Sequence, residues 1–195
     1  MKTKSLFYLY LFLGNMLYSC GSGNTPIPRQ YAYPRILENC EKYEIIQDKD
    51  LQFEINKSTI IEVDSFTDNN SRWLTLSYPQ YNSKLFITIN QNLTTNTLDK
   101  VLENRIHRFS LNIGSNISEQ YDVENRYGFN SRIFRVNSGS ANPVMFLSTN
   151  NRDCIVSGTV YLQDMSSISK PDSISPIIDY VFLDIVRIAN TLTAK

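Results

Sequence analysis

Few residues in this chain could do chemistry, and their spacing narrows the options further. There is one histidine, His107, and there are three cysteines, Cys20, Cys40 and Cys154. A Ser–His hydrolase would need His107 as its base and a nucleophile in a Gly-x-Ser-x-Gly elbow. No such elbow occurs, and Ser138-Gly139-Ser140 reads as a turn. Zinc-protease, EF-hand, phosphate-loop and dinucleotide patterns are missing from the sequence too, as is any Cys-x-x-Cys. Scattered Asp and Glu side chains can meet in space as an acid–base couple, but no spacing singles out two. His107 falls off the apolar stripe of a predicted helix, near its C-terminal end, and reads as a surface side chain. The chain is therefore read as non-enzymatic, with no metal or cofactor expected.

Cys20 stands in a different setting. Lys2 and Lys4 precede a nearly all-apolar run from Leu6 to Tyr18, broken by Gly14 and Asn15. As a helix this run reaches only about 20 Å, short of the ~30 Å hydrocarbon core, so it fits a secretory leader better than a membrane span. Leu17 at −3 and Ser19 at −1 resemble a bacterial lipobox, although Tyr18 at −2 replaces the usual small residue. A small −1 side chain suits the peptidase groove, and the thiol accepts the lipid. The expectation is a signal peptide over 1–19, lipidation of Cys20, and stable anchoring through more than one acyl chain. The residues just after Cys20 carry no charge, which favours a periplasm-facing position in the cell envelope over surface export. Residues 20–34 read as a tether: Gly21-Ser22-Gly23 is flexible, and Pro26, Pro28 and Pro34 resist helix.

Lys+Arg and Asp+Glu both number 19, so no basic excess points to nucleic acid. Apolar residues make up 42%, enough for a real core. After export, Cys40 and Cys154 sit in an oxidising compartment. They can pair, closing a long loop for about 4–5 kcal/mol in the chain-entropy model, or remain separate thiols.

The elements come next. Leu51 to Ile55 alternates apolar and polar residues as a half-buried strand does, and Ile60 to Val63 follows it. Trp73–Tyr78 and Leu85–Ile89 predict a hairpin across Pro79-Gln80-Tyr81-Asn82. Asn96 is a candidate cap for a helix whose Leu98, Val101, Leu102, Arg105, Ile106 and Phe109 share one face. Strands are predicted at 117–123, 129–136, 144–148 and 154–162. A final helix is predicted with Ser175 as its cap and Pro176 at its first position, with a broad apolar stripe from Ile177 to Leu192 and Asp179, Asp184, Arg187 and Asn190 on its other side. Strands in runs indicate an α+β class: a single domain over 35–195, a mainly antiparallel sheet of about six to eight strands, with one internal and one C-terminal helix packed on it. Trp73 and the tyrosines can line a sugar-binding groove, although the alternation of Trp73 with strand core positions reads as core or core edge.

Several stretches in order resemble the gliding motility lipoprotein GldD family. Thr25-Pro26-Ile27-Pro28-Arg29-Gln30-Tyr31 resembles its Thr-Pro-x-Pro-Arg-x-Tyr segment, and Trp73-Leu74 with Pro79 its Trp-Leu strand. Tyr127-Gly128 and Ser157-Gly158-Thr159-Val160-Tyr161 are similar to later strands, and Asp172-Ser173 with Pro176, Ile178 and Asp184-Ile185 to its last helix. Where family members often carry cysteines this chain has Asp48-Lys49-Asp50 and Ser71-Arg72, so any disulfide here would use Cys40 and Cys154. The resemblance implies a role in gliding motility and type IX protein secretion, partners among the other proteins of that apparatus, and no catalytic residues. Pro26, Pro28, Arg29 and Tyr31 are candidates for a partner-binding strip, against the reading of a mere spacer. Asp172-Ser173-Ile174 resembles an O-glycosylation site on Ser173, against simple turn chemistry. The alternative function is a periplasmic ligand- or glycan-binding lipoprotein.

Overall fold

The computed structural model describes residues 43–48, 50–63, 71–113, 117–136, 140, 142–163 and 174–194. Cys20, Pro26, Pro28, Arg29, Tyr31, Cys40 and Ser173, with the segments expected to be leader and tether, lie outside them. The described residues form one α+β domain. In chain order the elements are β1 (Tyr43–Asp48), β2 (Leu51–Asn56), β3 (Ile60–Val63), β4 (Ser71–Tyr78), β5 (Ser83–Asn90), α1 (Thr95–Ile113), β6 (Ile117–Glu124), β7 (Asn130–Val136), β8 (Val144–Thr149), β9 (Ile155–Leu162), α2 (Ser175–Thr191) and β10 (Thr193–Ala194). Seven strands make an antiparallel sheet in the order β3-β4-β5-β9-β8-β7-β6, and β1-β2-β10 make a second, smaller one.

The predicted hairpin is present. β4 and β5 are joined by a single 3-10 turn at Pro79–Tyr81, and Asn82 closes it in the left-handed region at φ 47°, which asparagine tolerates. Period-2 alternation sorts the sheet into two faces. Leu74, Leu76, Leu85, Ile87, Ile133, Phe146, Val156 and Val160 are buried on one face, in a core shared with Leu51, Phe53 and Ile55 of β2 and with α2. The opposite face buries a smaller set, Met145, Leu147 and Ile155, under Leu98 and Phe109 of α1.

Three sequence expectations need correction. The expected antiparallel sheet is present with seven strands, but β2, read with it, pairs instead with β1 and β10 in a second sheet. The amphipathic helix starts before Asn96: the Thr94 carbonyl accepts from the N–H groups of Thr97 and Leu98 at 2.9 and 2.8 Å, and the Thr94 and Thr97 hydroxyls are 2.8 Å apart. Asn96 therefore lies inside α1. In α2, Ser175 is the first helical residue and Ile174 precedes it without a side-chain cap.

Polar contacts fix α2 to the small sheet. Arg187 pairs with Glu54 at 2.6 Å and lies 4.5 Å from the centre of the Tyr43 ring. The Glu54 N–H donates to Thr191 Oγ1 at 3.0 Å. The C-terminal end of α2 is held from the other side by Asn125, in the β6–β7 turn. Its Nδ2 donates to the Ala189 and Leu192 carbonyls, both at 2.8 Å.

Candidate functional site

The chemistry-bearing side chains are dispersed. His107 is exposed on α1, and Ser110 Oγ donates to its backbone carbonyl at 2.7 Å. Among the described residues no three His, Cys, Asp or Glu side chains cluster as metal ligands do, and no helix is long and apolar enough to cross a membrane. Cys154, a free thiol, is buried just ahead of β9. Burial, with help from the neighbouring Asp153 charge, pushes its pKa up to about 12 from 9.0, which suppresses the nucleophilic thiolate at neutral pH. A raised folded-state pKa contributes stability that is complete below the unfolded value and lost as pH rises through the folded one. Reduced protein should therefore lose stability from about pH 9 towards 12, by at most about 4 kcal/mol from this thiol. Denaturant titrations of Cys154→Ala should give a flatter alkaline limb; an unchanged slope would show that the thiol does not contribute.

Asp184 was expected on the polar side of α2 and is instead 4% exposed. It lies three residues after Val181 and four before Ile188, which places it on the buried stripe. Burial raises the Tyr78 phenol well above its ordinary range, and the Asp184 charge and their hydrogen bond raise it further. This pair joins α2 to β4 and is enclosed in the core. Trp73 also departs from expectation. It is 38% exposed, on the sheet face opposite Leu74 and Leu76, in company with exposed Phe86 and Tyr161.

A groove of about 790 Å³ with a built floor lies between α1 and the outer strands of the large sheet. Two cross-strand rows make that floor: Asp122 opposite Arg132 opposite Leu147, and Glu124 opposite Asn130 opposite Thr149. Leu102, Ile106 and Phe109 of α1 form the apolar wall. Phe109 meets Phe134 of β7 edge-on, with ring centroids 6.2 Å apart. Ile106 at the mouth is 49% exposed and Ile117 44%. Asp122 and Arg132 pair at 3.0 Å while both stay largely exposed, so their attraction contributes about 0–1 kcal/mol. Glu124 has no cationic partner among the described residues. The groove has the walls of a binding site, apolar on the α1 side and polar along its floor.

Sequence reasoning placed Leu102, Ile106 and Phe109 on one helix face but assigned that face to the core. α1 buries Leu98 and Phe109 against β8 and β9, while Ile106 stays 49% exposed at the groove mouth.

No curated protein matches the chain. Among solved structures, the solution structure of cyanobacterial PsbP (CyanoP) from Synechocystis sp. PCC 6803 aligns with a TM-score of 0.43 and 10% identity, covering 77% of this chain and 95% of that one. The model of the gliding motility lipoprotein GldD family matches residues 23–194, a span that contains every described element. The chain belongs to the gliding motility lipoprotein GldD family.

Proposed function

We propose that this chain is a membrane-anchored lipoprotein that serves gliding motility and type IX protein secretion as a non-catalytic accessory or assembly component. The observation that carries this reading is the family match across the whole domain. In it, Cys20 bears the acyl chains, residues 20–34 give reach from the membrane, and the domain works by binding. The isolated His107 and the buried Cys154 fit a component that holds partners rather than one that turns over substrate.

The test is the amount of type IX cargo released by a deletion strain, complemented with wild type or with Cys20→Ala. Cargo should fall severalfold in the deletion, and only the wild type should restore it. Unchanged release would remove the secretion role; full rescue by Cys20→Ala would remove the need for the anchor. A second reading, a periplasmic ligand-binding lipoprotein, is favoured by the groove under α1. Ligand screening on the soluble domain, read by thermal shift, separates the two.

A further inference from the structure

We propose that the free edge of β6 and the groove beside it dock an extended, basic segment of a partner polypeptide. This rests on the reading of the chain as a component that acts by binding.

Two independent features meet at β6. First, among the described residues it is the terminal strand of the large sheet, paired on one side only, by β7. Every residue of its run Ile117–Glu124 is exposed except half-buried Val123. About half of its backbone N–H and C=O groups therefore point outward, a template for an added strand. Second, the groove follows the same strand, taking Ile117 at one end and Glu124 at the other into its lining. A strand laid against β6 would turn alternate side chains toward the α1 side of the sheet. There Ile106, Phe109 and Phe134 offer apolar contact.

Charge selects the occupant. β6 carries Glu119, Asp122 and Glu124 and no cation. Opposite them β7 supplies Arg132 and Arg135, and Arg135 also pairs with Asp179 of α2. The edge is left net acidic. Two β6 edges of this chain would set like charges against each other, which disfavours a second copy as the added strand. The register shift between Ile117 and Glu119 works against self-pairing as well. An unlike segment with Lys or Arg opposite Glu124, and apolar residues at alternate positions, meets both the field and the groove.

The test uses the full chain in its native host. A photo-crosslinking residue is placed at Ile106 or Gln120, with Leu183, exposed on α2, as control. Crosslinks from Ile106 in the groove and from Gln120 on β6 should map to one partner segment containing Lys or Arg. That segment, made as a synthetic peptide, should slow amide exchange along β6. Glu124→Lys and Ile106→Asp should each weaken its binding at least tenfold while leaving the thermal melt unchanged. Crosslinking no stronger than at Leu183, crosslinks only to lipid or glycan, an acidic segment, or equal binding by Glu124→Lys would each overturn the proposal. If cargo release depends on the protein and the peptide result is negative, only the docking site fails. If the deletion leaves cargo release intact, the secretion reading fails whatever β6 binds.

Discussion

Asn125→Ala should lower the unfolding free energy by about 2–4 kcal/mol, more than its position in a turn would suggest. Asn125 Oδ1 accepts from the N–H groups of Tyr127 (2.9 Å) and Phe129 (3.0 Å) and so shapes the β6–β7 turn. Its Nδ2 serves the Ala189 carbonyl of α2 and that of Leu192 just beyond it, and the residue is 7% exposed. Alanine removes both halves at once and leaves buried backbone groups without these partners. Asn125→Asp keeps the accepting half but sets carboxylate oxygen against the Ala189 and Leu192 carbonyls, so it should be at least as damaging at neutral pH. Chemical denaturation gives the size of the loss. Hydrogen exchange gives its location, with amides at 125–129 and at the end of α2 losing protection together. A loss below about 1 kcal/mol would mean that water replaces the side chain there.

Gly158→Ala should cost about 1–3 kcal/mol through overpacking. Gly158 lies directly opposite Phe146 in the β8–β9 ladder. A Cβ at 158 would fall 2.2 Å from Phe146 Cε1 and 2.9 Å from Cδ1. The ring is fully buried, so it can yield only by disturbing its neighbours in a close-packed interior. Phe146→Leu should be destabilising alone and should absorb much of the Gly158→Ala penalty when combined with it. Additive losses in the double mutant would show that the ring moves aside without cost. Glycine within Ser157-Gly158-Thr159-Val160-Tyr161 is thus explained by the aromatic that covers it.

The parts of the fold legible in the sequence were those fixed by local periodicity. The β4–β5 hairpin and the α2 stripe follow from spacings of two and of three to four residues, and both are present. Asp184 was misplaced because its charge was weighed above its spacing from Val181 and Ile188; the partner that makes its burial tolerable, Tyr78, lies far away in sequence. β10 is two residues long, too short for any periodic signal, and without it the second sheet is hard to infer. The groove is harder still. Its floor joins Asp122, Arg132 and Leu147 by strand register alone, and register is a property of pairing rather than of any one segment.

The attachment of β2 to α2 and β10 also sets the order in which the molecule can be completed. Leu51, Phe53 and Ile55 come early in the chain, yet the core they join includes α2, and β10 pairs with their strand, both within residues 175–194. A polypeptide emerging N-terminus first, from a ribosome or a translocation channel, carries β2 without these partners until residues 175–194 arrive, and such long-range closure is slow. Completion of this part of the core is deferred until then. The chain stays threadable in transit, and a product truncated before α2 is a client for chaperones and proteases rather than a shortened version of the domain.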